Sequence, residues 1–217
     1  MGTKEKILES GVIAIFRRLY KEELCWVCDA LYDGGIRLME VAFDQKDPEG
    51  IDHTVQSLKI LHRRHPDLTL GAGTVLTQKQ LQAACEAGAS YMVAPNVNPA
   101  LIAAAHQYGM AAMPGAMTPT EVVSAWQSGA DLVKLFPAGY LGADYVRHLR
   151  APLNHIPLVA TAGIAEENFA DFLKAGCVAA GISSPLMDQK CIAAGDAAAL
   201  TERARRLMQI FRRSREE

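Results

Sequence analysis

Short apolar runs alternate with amphipathic stretches along the whole chain, and this alternation constrains the fold most strongly. Runs of five to eight apolar residues bounded by turn signals are typical of buried β-strands. The predicted strands are VIAIFR at 12–17, IRLMEVAF at 36–43, LTLGAG at 68–73, YMVAP at 91–95, AAMPG at 111–115, DLVKLF at 131–136, PLVATAG at 157–163 and VAAGIS at 178–183.

The amphipathic stretches between these runs predict helices, and most of them end at a glycine. The glycine signals are DGG at 33–35, EAGA at 86–89, QYG at 107–109, QSGA at 127–130 and KAGC at 174–177. A strand–helix repeat of about 20–25 residues gives parallel strands, and eight such units close into a barrel. We therefore expect an α/β fold, a (β/α)8 TIM barrel, with an extra N-terminal helix at 3–10.

The length and composition of the chain predict one catalytic domain that covers 1–217. A chain of 217 residues that is 50% apolar can bury one sizeable core but is short for two catalytic domains. No GxGxxG or P-loop pattern follows the first strand, which disfavours a doubly wound nucleotide-binding fold. The five cysteines are an odd number, so we expect free thiols, with the CxxC of Cys25 and Cys28 inside a core helix.

The charge and hydropathy of the chain point to a soluble, cytoplasmic protein with a small-molecule ligand. A net charge of -2 argues against a nucleic-acid partner. No stretch approaches the roughly 20 apolar residues of a membrane span, and the N-terminus lacks the apolar run of a signal peptide. The basic C-terminal segment TERARRLMQIFRRSREE carries an apolar stripe, which favours a docked helix over an anion-binding arm.

Polar side chains late in the predicted strands are the candidates for chemistry, because barrel active sites lie at the carboxyl ends of the strands. They are Arg17, Glu40, Thr74, Asn96, Lys134, Thr161, Ser183 and Ser184. Lys134 lies in the apolar strand DLVKLF, whereas the other lysines fall in polar helix or loop contexts. Burial lowers the pKa of a lysine and leaves a free amine that can condense with a ketone.

Lys134 has a second interpretation as half of a buried ion pair with Asp131 or a neighbouring carboxylate, and its position in the strand does not separate the two interpretations. Glu40 favours chemistry, because a carboxylate in another strand could lie across the barrel and exchange protons near neutral pH. Glu40 could instead pair with Arg37 or with Lys134, but strand alternation puts Arg37 on the opposite face. Arg17 could bind a substrate carboxylate with its forked guanidinium, or be a surface arginine.

The segments LMEVAF, GAGTV, VAPN, MPGAMTPTE, VKLFPA and TAGI occur in this order along the chain. With them the chain resembles, essentially end to end, the 2-keto-3-deoxy-6-phosphogluconate (KDPG) and 4-hydroxy-2-oxoglutarate (KHG) aldolases. The most specific part of the resemblance is MPGAMTPTE followed by VKLFP. The resemblance implies a class I aldolase that releases pyruvate and an aldehyde, either glyceraldehyde 3-phosphate or glyoxylate, through a lysine Schiff base. It also implies a homotrimer without metal or cofactor.

Carried over by position, the resemblance implies roles for individual residues. Lys134 matches the Schiff-base lysine and Glu40 the general acid and base. The implied substrate-binding residues are Arg17, Thr74, Pro95, Pro114 and Phe136, and the implied phosphate-binding residues are Thr161, Ala162, Gly163, Ser183 and Ser184.

The sequence departs from the family pattern in two places. Asp44 stands where many members carry an arginine that binds the carboxylate, so Arg17 is the expected replacement. Ala162 and Ser183 stand where the family pattern has glycines, which narrows the approach of a phosphate to the backbone. A phosphorylated and an unphosphorylated substrate therefore both remain open.

Two other functions are compatible with the sequence. A phosphate-binding isomerase or epimerase would use two acid–base residues and would not need a buried amine. A non-catalytic relative that only binds a sugar acid is suggested by Asp44 and the altered loops. The six histidines fall in predicted helices or loops, which disfavours a metal-dependent aldolase.

Overall fold

Parallel strands alternate with helices through residues 1–216, which are the residues that the structure, a computed structural model, describes. The strands are β1 (Val12–Phe16), β2 (Leu38–Ala42), β3 (Thr69–Gly73), β4 (Tyr91–Val93), β5 (Ala111–Met113), β6 (Gly115–Ala116), β7 (Val133–Leu135), β8 (Leu158–Thr161) and β9 (Cys177–Ile182). The helices are α1 (Thr3–Ser10), α2 (Lys21–Asp33), α3 (Gly50–Arg64), α4 (Gln78–Glu86), α5 (Pro99–Gln107), α6 (Pro119–Gln127), α7 (Ala138–Arg150), α8 (Phe169–Lys174), α9 (Gln189–Ala193) and α10 (Ala197–Arg213).

The strands pair in parallel in the order β5, β4, β3, β2, β1, β9, β8, β7, β6, with β5 and β6 adjacent in the chain. The sheet therefore curves round until its two ends meet in one stretch of chain. This arrangement confirms the predicted TIM-like barrel, and α1 is the predicted N-terminal helix.

The fifth predicted strand is divided in two at Pro114, which is why nine strand segments form where eight were predicted. Residues Ala111–Met113 pair with β4, and Gly115–Ala116 pair with β7. A proline has no N–H to donate to a ladder, so a strand commonly changes partner or ends there. Lys134 N donates to Pro114 O at 2.9 Å, which keeps the closing strand attached at this point.

Strand alternation separates the interior of the barrel from the layer under the helices. In β1, Ile13 and Ile15 join the interior cluster, whereas Val12, Ala14 and Phe16 pack outward. The interior cluster also contains the fully buried Ile7 of α1, so this helix covers one end of the barrel. The opposite end, where the strands finish, is the end with the candidate residues.

Local signals in the sequence fix the ends of the helices. Thr77 and Gln80 form a reciprocal capping box at the start of α4, and Thr118 and Glu121 form one at the start of α6. The predicted glycine stops have positive φ angles, as at Gly88 (φ 92°), where a side chain would be strained. Local chemistry thus divides the chain into the units that its apolar pattern predicts.

The remaining structural predictions concern the C-terminal segment and the cysteines. Helix α10 buries its apolar stripe, including Leu207 and Phe211, as expected for a docked helix. The five cysteines are free thiols, and Cys28 of α2 is buried, which raises its pKa to about 12. Within residues 1–216, no helix combines the length and hydropathy needed to cross a membrane.

Candidate active site

Lys134 and Glu40 are the buried charged side chains of the described core, and each is only 2% exposed. Lys134 lies in β7 two residues from the interior Leu132, and Glu40 lies in β2 two residues from the interior Leu38. Because residues two apart in a strand share a face, both side chains point into the barrel. The strands thus place an amine and a carboxyl group in one apolar interior.

The alternative ion pairs that the sequence left open do not form. Asp131 lies outside the interior, where its carboxylate accepts from Ala112 N at 2.8 Å and contacts His106 at 2.9 Å. Arg37 stacks on Tyr32 and lies 3.6 Å from Asp67. Within residues 1–216, Lys134 has no hydrogen bond or ion pair from its amine, and Oε1 of Glu40 has no hydrogen-bond partner.

Burial shifts the pKa values of both groups toward their neutral forms. It raises the pKa of Glu40 above its ordinary value of 4.5, although the positive charges of Lys134 and Arg17 oppose the shift. It lowers the pKa of Lys134 below its ordinary value of 10.5; Glu40 opposes this change and Arg17 adds to it. Burial therefore disfavours the charged form of both side chains in this interior.

Glycine residues make space around this pair. Gly73 of β3 lies directly against the Glu40 side chain: a Cβ at position 73 would come within 2.6 Å of Glu40 Cδ. Gly181 of β9 is similarly enclosed, since a Cβ there would lie 2.9 Å from Ile15 and 3.0 Å from the hydroxyl oxygen of Thr161. Neither requirement can be predicted from the sequence, because a strand glycine carries no local sign of what approaches it.

Arg17, which directly follows β1, lines two adjoining cavities of about 240 and 250 Å³ at the mouth of the barrel. Asp44 also lines the smaller cavity, and its carboxylate accepts from Arg18 Nε at 2.7 Å. Asp44 is therefore paired with a cation and cannot bind a substrate carboxylate as an arginine would. Arg17 is the arginine whose charge shifts the pKa values of both Lys134 and Glu40.

Thr74 directly follows β3, next to Gly73, and its backbone has a φ of 57°. A β-branched residue is strained in this region, so neighbouring contacts must hold it there. Gln45 donates to the Thr74 carbonyl at 2.9 Å, and the buried Gln80 donates to Gln45 at 2.9 Å. Gln45 and Gln80 were missed in the sequence because glutamines in loops and at helix starts have no distinctive pattern.

The predicted wall residues lie around Lys134. The Phe136 ring centre is 4.8 Å from the Lys134 amine. Pro114 accepts a hydrogen bond from the Lys134 backbone, and Pro95 lies against Gly115, where a Cβ would come 2.5 Å from the Pro95 carbonyl. The strand-end prolines are thus next to the backbone of β6 and β7, the strands that close the barrel.

The predicted phosphate loops share the 250 Å³ cavity with Arg17 and Phe136. Thr161, Ala162, Gly163, Ser183 and Ser184 all line it. Ala162 has a φ of 69°, so the loop keeps a left-handed turn despite its methyl group. The Ser183 hydroxyl donates to Ile15 O at 2.9 Å, which leaves the backbone N–H as the donor that Ser183 can offer.

Asn168 shapes the loop that follows β8. Its amide nitrogen donates to Gly163 O at 2.8 Å, and its amide oxygen accepts from Ala165 N at 2.9 Å. Asn168 is not among the residues predicted from the sequence, although an asparagine just before a helix is a recognisable turn signal. Among residues 1–216, no group of three or more histidine, cysteine, aspartate or glutamate side chains is arranged to hold a metal ion.

Comparisons with known sequences show the family of the chain. A family profile described as "Aldolase: KDPG and KHG aldolase" matches residues 3–203. A probable 2-dehydro-3-deoxy-6-phosphogalactonate aldolase of Rhizobium meliloti (strain 1021) is 37% identical over 181 residues, 82% of each chain. A 2-dehydro-3-deoxy-phosphogluconate aldolase of Treponema pallidum (strain Nichols) is 35% identical over 182 residues, covering 83% of this chain and 84% of that protein.

Solved structures show the same architecture. The structure of native KDPGal superposes with a TM-score of 0.83 and 30% identity, covering 95% of this chain and 96% of that one. A KDPG aldolase from Legionella pneumophila, solved with pyruvate as a covalent carbinolamine, has a TM-score of 0.82 at 24% identity over 95% and 98% of the two chains, which supports the fold. On its sequence and its fold, this chain belongs to the KDPG and KHG aldolase family.

Proposed function

We propose that the protein is a class I aldolase that cleaves a 2-keto-3-deoxy-6-phospho sugar acid, or 4-hydroxy-2-oxoglutarate, into pyruvate and an aldehyde. One observation carries the proposal: the amine of Lys134 is buried without an ion-pair partner in the interior that also contains the unpartnered Glu40 carboxyl group. The relatives' names support this reaction and substrate class. A phosphate-binding isomerase would not need the buried amine.

The first step is the addition of the neutral Lys134 amine to the C2 ketone. Because burial lowers the pKa of Lys134, a larger share of the amine is free at neutral pH than in water. The carbinolamine loses water to give a protonated imine, and Glu40 delivers and removes the protons of this exchange. Burial raises the pKa of Glu40, so this carboxyl group keeps its proton to a higher pH than an exposed glutamate and can donate it to the leaving water.

The second step is cleavage of the C3–C4 bond. The C4 hydroxyl loses its proton, the C3–C4 electron pair moves into the imine, and the aldehyde leaves. The product on Lys134 is a neutral enamine rather than a carbanion, which is how an amine lowers this barrier. Protonation at C3 by Glu40 and hydrolysis of the imine then release pyruvate and regenerate the lysine.

The substrate carboxylate is bound by Arg17 and Thr74 in this proposal. Arg17 lines the mouth of the barrel and acts on the charges of both interior residues, and its fork can accept a carboxylate in a bidentate manner. Thr74 directly follows Gly73, which lies against the Glu40 side chain, so Thr74 is the residue that we assign to the carboxylate beside Arg17. Phe136, Pro95 and Pro114 form the apolar surroundings of the amine.

The far end of the substrate occupies the cavity between the loops after β8 and β9. Backbone N–H groups at Gly163 and Ser184, together with the Thr161 hydroxyl, would bind a phosphate there. The methyl group of Ala162 does not prevent the left-handed turn that such a loop uses. We therefore favour a phosphorylated substrate over an unphosphorylated one.

We further propose one catalytic domain over 1–217, assembled as a cytoplasmic homotrimer that does not bind nucleic acid. The family match over 3–203 supports the single domain. Leu76 and Met117 are exposed on the loops that follow β3 and β6, and Tyr140 is exposed in the first turn of α7. These three side chains would form part of a subunit contact at that end of the barrel. The net charge of -2 supports the absence of a nucleic-acid partner.

A pyruvate-release assay tests the proposed function. The substrates are the 6-phosphorylated keto acids derived from gluconate and galactonate, and 4-hydroxy-2-oxoglutarate. We expect at least one of them to give pyruvate with the wild-type protein and none with Lys134→Met. If folded wild-type protein releases no pyruvate from any of them, the proposed function is wrong.

A further inference from the structure

Two consecutive residues of the loop after β2, Asp44 and Gln45, each hold a residue of a different neighbouring loop. Asp44 pairs with Arg18 after β1, and Gln45 donates to the Thr74 carbonyl after β3. We propose that this dipeptide positions Arg17 and Thr74 together, and so sets the preference of the site for a keto acid over an uncharged ketone. The inference rests on the proposed function, which assigns the carboxylate to those two residues.

The orientation of the Gln45 amide is fixed by the groups at both ends of its hydrogen-bond chain. The Thr74 carbonyl can only accept, so Gln45 must present its NH₂ group to it. The amide oxygen of Gln45 then accepts from Gln80, whose own oxygen accepts from Leu76 N and Thr77 N. Those backbone groups can only donate. The hydrogen-bond chain through the Gln45 and Gln80 amides therefore has only one consistent orientation.

Thr74 needs such a contact because its backbone is strained. Its φ of 57° is unfavourable for a β-branched residue. Sheet-type hydrogen bonds fix the residues on either side, from Phe43 N to Gly73 O at 2.8 Å and from Val75 N to Val93 O at 3.0 Å. The Thr74 carbonyl belongs to the same peptide group as Val75 N, so Gln45 adds a second restraint to the peptide plane that follows Thr74.

Asp44 acts in the same way on the first loop. Arg18 has a φ of 54° and a side chain that is 68% exposed, so little else restrains it. Asp44 is only 17% exposed, and its second oxygen accepts from Lys46 N at 3.1 Å, which fixes the carboxylate in its own loop. Holding Arg18 fixes the peptide plane that carries Arg17, the residue at the mouth of the barrel.

The test compares pyruvate with methyl pyruvate, which has the same ketone but no carboxylate charge. Borohydride trapping on the intact protein measures the half-saturating concentration of each ketone. Gln45→Glu keeps the size of the side chain but cannot donate to Thr74, and Asp44→Asn keeps the acceptor for Lys46 but loses the charge that binds Arg18. We expect each variant to raise the half-saturating concentration of pyruvate about tenfold and to leave methyl pyruvate within about twofold.

Matched controls and a second background separate positioning from general damage. Gln82→Glu and Asp144→Asn make the same chemical changes on exposed faces of α4 and α7 and should change neither ketone. Because Gln45 acts through Thr74, Gln45→Glu should add less than a twofold effect in a Thr74→Ala background.

Each outcome decides one part of the account. A selective loss of pyruvate in both variants supports the inference. If trapping of the two ketones changes equally, or if neither changes, the positioning role of Asp44 and Gln45 is wrong while the aldolase assignment stands. If the folded wild-type protein traps neither ketone, the proposed function fails, and the inference fails with it.

Discussion

The side chain of Glu40 in β2 fills the space that a side chain at Gly73 in β3 would need. A Cβ at position 73 would come within 2.6 Å of Glu40 Cδ and 2.9 Å of Glu40 Cγ. The carboxyl group that we assign to proton transfer is therefore held in place by the absence of a side chain on the neighbouring strand.

The first prediction concerns this contact. Gly73→Ala should destabilise the protein by about 1–3 kcal/mol, because the new methyl group must displace the Glu40 side chain. Exchange of the pyruvate methyl protons should fall further than imine formation does, since Glu40 moves and Lys134 does not. Urea denaturation and proton exchange followed by NMR measure the two effects.

The Glu40→Ala background provides the control for Gly73→Ala. Without the long side chain at position 40 the methyl group has room, so the same substitution should cost less than about 1 kcal/mol there. An equal loss of stability in both backgrounds would show that the strain arises elsewhere.

The second prediction concerns the pH dependence of proton transfer. Burial raises the pKa of Glu40, so the carboxylate appears only at a pH above its ordinary value of 4.5. Methyl-proton exchange from pyruvate should therefore rise through an inflection above 4.5. In Glu40→Gln that inflection should vanish and the rate should drop by about 10²–10⁴-fold, while borohydride still traps the imine.

A pH profile of exchange for the wild type and Glu40→Gln checks this prediction. Two outcomes would contradict the role of Glu40: an unchanged profile in the variant, or a loss of imine trapping as large as the loss of exchange.

The third prediction concerns the stability cost of burying Lys134. Because its pKa is lowered on folding, the unfolded chain binds more protons than the native chain between the lowered pKa and 10.5. The free energy of unfolding therefore rises with pH in that window, and it reaches its full increase above pH 10.5. Lys134→Met removes the penalty and should stabilise the protein at pH 7 by about 1–3 kcal/mol.

The stability advantage of Lys134→Met should shrink as the pH rises toward 10.5. The exposed Lys59 of α3 provides the control, since Lys59→Met should show no such trend. Chemical denaturation at several pH values measures both variants, and an advantage for Lys134→Met that is independent of pH would contradict the shifted pKa.

The fourth prediction concerns the left-handed turn at Ala162. A non-glycine residue at a φ of 69° lowers the free energy of unfolding by about 1–2 kcal/mol. Glycine removes this strain, but its larger conformational entropy in the unfolded chain offsets part of the gain. Ala162→Gly should therefore stabilise the protein by about 0.5–1 kcal/mol. The control is Ala165→Gly, at a position where φ is not positive. This substitution should destabilise the protein by a similar amount. A loss of stability in Ala162→Gly would contradict the strain at that residue.

Much of the fold could be predicted from the sequence because it depends on local patterns. Short apolar runs, helix caps and glycine stops determine where each strand and helix lies, and α1 has the predicted bounds. The division of the fifth strand at Pro114 was missed, because the residues on its two sides pair with different strands, β4 and β7, only after the barrel closes. Its lack of an N–H was the available signal.

The candidate site was predictable where it depends on strand alternation and not where it depends on loops. Lys134 and Glu40 lie inside the barrel because each shares a face with apolar neighbours. The Asp44–Arg18 pair and the Gln45 contact to Thr74 join loops that are far apart in the chain, and no local pattern encodes which loops meet. The sequence could show that Asp44 is not a carboxylate ligand, but not what it holds.

Borohydride trapping with pyruvate, followed by peptide mapping, tests the central claim most directly. We predict one pyruvate-derived adduct per chain, located on Lys134 and absent from the Lys134→Met variant, which should remain folded. A folded wild-type protein that stays unmodified, or that is modified on a different lysine, would contradict the assignment of Lys134 as the Schiff-base residue.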